Sequence, residues 1–201
     1  MIFPKSEYKI LLSIYENPGI RLSELMKKAR ISAGTAKKRL EHLLNSGIIT
    51  ESNISGGKRI LLRIFYPNFF SEEGMNVFSL VESEKKQEFF KKNRNLIGPF
   101  KQLLKNVEHG IKVILVFGSF ASYSQLRDSD LDILLLTKGK LDKDKLEKEI
   151  ERSFVTFTHE ISPRIDNLNN FKKNINKGIY QTLIKNHIII KGSLDYLRSI
   201  R

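Results

Sequence analysis

Asp130 and Asp132 stand two residues apart at the head of the apolar run Leu131-Asp132-Ile133-Leu134-Leu135-Leu136. On a β-strand, side chains two apart share a face. Carboxylates held that close repel one another unless a proton or a cation lies between them, and a divalent metal is the economical reason to place them so. A short way upstream, a second apolar run, Ile111–Phe117, ends in Gly118-Ser119. In the first third of the chain, Thr35, Lys37, Lys38, Arg39 and His42 fall away from the apolar stripe of a helical segment, and Lys58-Arg59 follow a pair of glycines. A cationic helix beside a cationic, flexible tip suits the phosphate backbone of a duplex.

These residues need elements to hold them. Ser6–Glu16 places Ile10, Leu11, Ile14 and Tyr15 on one helical face, and Asn17-Pro18-Gly19 ends that helix. A second short helix is expected from Arg21 or Leu22 to Ala29. Ser32 reads as the N-cap of a third, which buries Ala36, Leu40, Leu43 and Leu44 and stops at Gly47. Ile48-Ile49-Thr50 and Lys58–Ile64 then form a hairpin with Ser55-Gly56-Gly57-Lys58 at its tip. Beyond Tyr66-Pro67-Asn68, a helix over Val77–Asn95 carries Phe78, Val81, Phe89 and Phe90, fit either to link domains or to build a dimer.

The second half predicts a helix over Pro99–Glu108, a buried strand over Ile111–Phe117 and a helix-compatible stretch over Phe120–Arg127. A strand over Asp132–Leu136 and a charged amphipathic helix over Asp142–Glu151 follow. Ser153–His159 reads as the next strand, Asp166 as the start of a helix continuing over Asn167–Lys185, and Ile188–Ile190 as a last short strand before Gly192. The fold class is α+β, with an N-terminal three-helix and hairpin unit and a C-terminal α/β unit on a small mixed sheet. The expected division is 1–67, a helical connector over 68–96, and 97–201.

Length and composition fit this division. With 201 residues, 40% hydrophobic and 28% charged, the chain can bury one large core or two small ones, and is neither collagenous nor wholly disordered. It has no cysteine, which excludes disulfides, thiolate metal sites and cysteine nucleophiles. No segment approaches 18 apolar residues and no leader pattern opens the chain, so a soluble, cytoplasmic protein without a membrane partner is expected. The net charge is +13, and residues 1–67 hold 12 basic and five acidic side chains. That excess leans towards a polyanionic partner.

The stretch LSELMKKARISAGTAKKRLEHLLNSGIITES, followed by Gly56-Gly57, resembles the winged helix-turn-helix family. The resemblance implies double-stranded DNA as partner, with the third helix in the major groove. It assigns Ser32, Thr35, Lys37, Lys38 and Arg39 as contacts from that helix, and Lys58 and Arg59 as contacts from the wing. A homodimer follows from symmetry, because paired recognition helices would span successive turns of the groove.

Gly118-Ser119, the spacing onward to Asp130 and Asp132, and the flanking strands resemble the small prokaryotic nucleotidyltransferases related to DNA polymerase beta. That resemblance implies a nucleoside triphosphate such as ATP, with Gly118 and Ser119 at its phosphates and Ser129 shaping the turn. It also implies Mg2+ on Asp130 and Asp132, the catalytic pair. Two departures stand out. Tyr123 occupies a position where the family usually has glycine, and the expected third-acid strand, Ser153–His159, carries no acid in its interior. His159 and Glu160 are the nearest replacements.

Three functions are thus open. One is a DNA-binding transcriptional regulator whose second domain binds nucleotide and magnesium. Another is an active nucleotidyltransferase moving a nucleoside monophosphate onto a protein, RNA or small-molecule acceptor. The third is a protein-interaction or antitoxin-like module working with a helical protein partner.

Overall fold

The computed structural model describes residues 3–55, 61–107, 110–139, 142–178, 180, 183 and 186–201. The chain divides into two compact units, Met1–Glu84 with Arg201, and Lys85–Ile200.

In the first unit, α1 (Lys5–Glu16) is followed by the two-residue strand β1 (Ile20–Arg21), α2 (Leu22–Ala29) and α3 (Ala33–Asn45). β2 (Ile49–Ser55) and β3 (Leu61–Pro67) then complete an antiparallel sheet in the order β1-β3-β2. Ile10, Leu11 and Ile14 of α1, Leu25 of α2, and Ala36, Leu40 and Leu43 of α3 are all buried with Phe65 of β3. Each helix spends its apolar stripe on this core and turns its lysines outward. The Ser32 side chain caps α3 by accepting from the Thr35 N–H at 3.3 Å. The expected wing tip, with Gly56, Gly57, Lys58 and Arg59, lies outside the described residues.

The division between the units falls within α4 (Glu72–Lys92), which begins earlier than the sequence pattern indicates. The second unit continues with a 3-10 turn at Arg94–Leu96, α5 (Ile97–Asn106), β4 (Ile111–Phe117), α6 (Gly118–Ala121) and β5 (Leu131–Thr137). It ends with α7 (Lys143–Ser153), β6 (Ile161–Asn167), α8 (Leu168–Asn174), β7 (His187–Lys191) and α9 (Ser193–Ile200). The sheet order is β6-β5-β4-β7. β6 runs parallel to β5 and the other pairs are antiparallel, so the sheet is mixed.

Alternation assigns the two faces. Ile114, Val116, Ile133, Leu135, Ile188 and Ile190 pack with Phe100 and Leu103 of α5 and with Ile150 of α7 in the main core. The opposite face carries Asp132, Leu134 and Leu136 of β5, and α8 packs on its β5 and β6 side. Phe171 of α8 meets Tyr180 edge-on with ring centroids 5.2 Å apart.

The structure corrects the expectation of a strand over Ser153–His159. α7 runs to Ser153, the following residues form a turn, and the strand begins at Ile161. Phe154, Val155, Thr156 and Phe157 are of types that favour strands, but the two rings fold towards one another with centroids 6.1 Å apart, and Val155 between them is exposed. The strand that replaces this segment contains Pro163, which sequence reading treats as a breaker. Pro163 is tolerated because β6 is an edge strand. Glu160 offers its carbonyl to the Leu131 N–H at 2.8 Å, so by alternation Pro163 turns its missing donor away from β5. Similarly, Phe120–Arg127 is helical only as far as Ala121, because hydroxyl bonds within 118–124 draw the chain into a tight turn.

Candidate functional site

β4 and β5 are antiparallel, with Val116 opposite Ile133, so the end of β4 and the start of β5 meet at one rim of the sheet. This brings the Gly118-Ser119 turn to Asp132. Gly118 has φ +68°, and a Cβ on it would collide with the Asp132 Oδ2. Only glycine combines that backbone with that approach.

The turn beyond Gly118 is held by its own polar groups. The Ser122 hydroxyl donates to the Gly118 carbonyl at 3.0 Å and sits 2.8 Å from the Ser124 hydroxyl, while the Ser124 N–H donates to the Ser119 carbonyl at 2.9 Å. Tyr123 has φ +56°, a left-handed conformation that favours glycine. That is a conformational reason for the family's usual glycine at this point, and here the tyrosine ring is covered by the Lys92 ammonium, 3.7 Å from its centroid.

Ser129 closes the loop leading into the aspartates. Its hydroxyl accepts from the Leu126 N–H at 2.8 Å, and its carbonyl accepts from His159 Nδ1 at 3.0 Å. His159 packs between Phe120 and Phe157 and pins this loop, so its ring belongs to the scaffold.

Asp130 is exposed and Asp132 half-buried. Burial pushes the Asp132 carboxyl above its ordinary value, and the charge of Asp130 adds to the rise. Arg164 and a hydrogen bond from the Ser162 hydroxyl act in the opposite direction. In the parallel pairing, Ser162 lies opposite Asp132, Arg164 opposite Leu134 and Asp166 opposite Leu136. Thus Ser162, Arg164 and Asp166 line the same face as Asp132, and a serine stands beside Asp132 where a third acid is expected.

Asp166 is the acid on this strand, but its oxygens are taken. They accept from Asn170 Nδ2 at 2.9 Å, from the Asn167 N–H at 2.7 Å and from the Tyr180 hydroxyl in a very short bond. Burial and the bond to Asp166 push Tyr180 up to about 12. Sequence alone does not single out Ser162, Arg164 or Tyr180. The signal was the alternation of polar Ser162, Arg164 and Asp166 with Ile161 and Ile165, interrupted by Pro163.

The fit of these residues to magnesium divides in two. Asp130 stands near enough to Asp132 to raise its carboxyl, that mutual repulsion favours an intervening cation, and Mg2+ commonly takes one or two carboxylates with phosphate and water completing its shell. One ion therefore fits. Among the described residues, no group of three or more Asp, Glu, His or Cys side chains converges to hold a metal, so the carboxylates for a second ion are not assembled.

On α3, the predicted contacts separate. Thr35, Lys37 and Lys38 are exposed, and the Thr35 hydroxyl lies 3.0 Å from that of Ser32. Arg39 turns towards α1 and donates to Glu7 at 2.9 Å in a partly buried ion pair. Lys58 and Arg59 lie outside the described residues. Among the described residues, no helix is long and apolar enough to cross a membrane.

Comparison with known proteins agrees with both units. The family described as winged helix-turn-helix DNA-binding matches residues 4–50, and the family described as polymerase beta, nucleotidyltransferase matches residues 100–194. The chain joins an N-terminal winged helix-turn-helix domain of the DNA-binding type to a C-terminal nucleotidyltransferase domain of the polymerase beta type. No curated protein matches it. Among solved structures, one described as "Crystal structure of the toxin-antitoxin with AMP-PNP" is 19% identical, with a TM-score of 0.36 over 51% of this chain and 82% of that one.

Proposed function

We propose that the C-terminal domain is a magnesium-dependent nucleotidyltransferase centre that takes a nucleoside triphosphate and passes its nucleoside monophosphate to an acceptor hydroxyl. The observation that carries this reading is the meeting of Gly118 with Asp132, whose carboxyl also feels the charge of Asp130 just before the strand. Asp130 and Asp132 would hold the ion, and the Gly118-Ser119 turn would receive the phosphates. When bound, Mg2+ neutralises the triphosphate and orients its α-phosphorus. In the transfer, the acceptor oxygen bonds to the α-phosphorus as the bond to the bridging oxygen breaks. Pyrophosphate leaves, and the acceptor proton passes to water. The test is label transfer from a nucleoside triphosphate labelled at its α-phosphorus. Asp130→Asn should abolish transfer while leaving the fold intact, and full retention would reject the assignment.

A second reading is favoured by Ser162, which supplies no carboxylate beside Asp132. In it, the domain binds nucleotide without transferring it, and α3 with its exposed Lys37 and Lys38 binds duplex DNA under nucleotide control. Nucleotide-dependent DNA affinity in a protein with no label transfer would select this reading.

A further inference from the structure

We propose that Arg164, across β5 from the Gly118-Ser119 turn, is a second phosphate-binding cation of this centre, so that a nucleoside triphosphate binds with a single divalent ion and the guanidinium takes the place of a second. The inference rests on the nucleotide-site reading above and concerns the strand beside the aspartates. Three observations support it.

First, the pairing of β5 with β6 puts Ser162 beside Asp132 and Arg164 one step further along the same face. A hydroxyl and a guanidinium therefore occupy the side of the site from which a third carboxylate would come. Second, Asp166, the acid on that strand, cannot serve as that carboxylate without leaving its partners. Tyr180, Asn170 and the Asn167 N–H hold it at the far end of β6, opposite Leu136. Third, Arg164 is exposed, and the register sets it two residues beyond Ser162 and two before Asp166 on that face. It therefore lies between the aspartate pair and the Asp166 cluster, at the surface.

The charge balance follows from this placement. Two carboxylates and a triphosphate concentrate negative charge at one sheet rim, and a single Mg2+ leaves much of it unmatched. An arginine presents paired N–H donors that fit phosphate oxygens, and it stays protonated at any working pH. Asp130 and Asp132 would bind the ion that travels with the nucleotide, while Arg164 would bind phosphate oxygens directly.

The experiment counts ions rather than turnover. The intact protein is titrated with Mn2+ in the presence of a saturating non-hydrolysable ATP analogue, and bound Mn2+ is measured by electron paramagnetic resonance. Analogue affinity is measured in parallel by calorimetry. One Mn2+ per chain is expected. Arg164→Ala, at an exposed edge-strand position, should weaken the analogue about tenfold or more, the loss of a charge-assisted hydrogen bond, while Arg164→Lys should recover part of it. Circular dichroism of each variant checks that the fold is kept. Two Mn2+ per chain in the unaltered protein would overturn the inference and leave the nucleotide site standing, as would unchanged analogue affinity in Arg164→Ala. Failure of the unaltered protein to bind the analogue with Mn2+ would overturn the nucleotide-site reading, and this inference with it.

Discussion

Gly118 closes directly over the carboxylate of Asp132, so that the residue just after one strand leaves no room for a side chain beside the residue near the start of the next. Gly118→Ala would have to strain a left-handed backbone and displace the carboxylate together. It should cost about 1–3 kcal/mol of stability. Thermal unfolding measures that cost, and calorimetry with Mg2+ and nucleotide should show weakened binding in the same variant. An unchanged melting temperature would mean that Asp132 is not held against the turn.

The raised carboxyl of Asp132 gives a prediction in pH. The folded chain holds that proton more tightly than the unfolded chain, so the contribution to stability is present below the ordinary value of 3.8 and is lost as pH rises through the raised one. Asp132→Asn removes the titration. Without divalent ions, the variant should melt higher than the parent at pH 7, and the gap should narrow as the pH falls towards 3.8. A variant that melts lower at pH 7 would contradict the burial and repulsion assigned to this group.

Tyr180 should ionise late, near its raised value of about 12. Ultraviolet titration of phenolate formation should lose that late step in Tyr180→Phe. In Asp166→Asn the step should move down, because the acceptor charge is gone. The neutral phenol is the form the fold holds, so its contribution to stability is present below pH 10 and is lost as pH rises towards 12.

The cations of α3 should behave differently from one another. Lys37→Ala and Lys38→Ala remove exposed charges. If α3 binds duplex DNA, each should lower the slope of log affinity against log salt by about one, with the melting temperature unchanged. Arg39→Ala breaks the pair with Glu7 and should instead cost about 1 kcal/mol of stability, with a double-mutant cycle assigning the coupling to Glu7. A Lys37 or Lys38 variant that binds duplex with undiminished salt dependence would remove α3 as the contacting helix.

The sequence speaks most clearly where the signal is local. The apolar stripes of α1 and α3, the Ser32 cap and the rise of β4 into Gly118 each depend on neighbours a few residues apart. The approach of Gly118 to Asp132 does not. It depends on the register of β4 against β5, which the period-two pattern allows without specifying. The strand beside the aspartates was harder still. Phe154-Val155-Thr156-Phe157 has the aromatic and β-branched composition of a strand but serves as a turn packed through its two rings, while Ile161–Asn167 hides its alternation behind a proline. Arg39 shows the same limit on a helix, because its position relative to the stripe does not reveal that Glu7 of α1 waits across the gap.

Pro163 also bears on how the protein behaves in a crowded solution. An edge strand with all its outward donors intact is a template on which another chain can lay a strand of its own. On β6 that row is broken at the residue next to Arg164, since proline has no N–H to offer there. The rim of the sheet is thereby poorly suited to growing a shared sheet with a neighbour, and what reaches Arg164 must come as a ligand to its side chain, not as a strand.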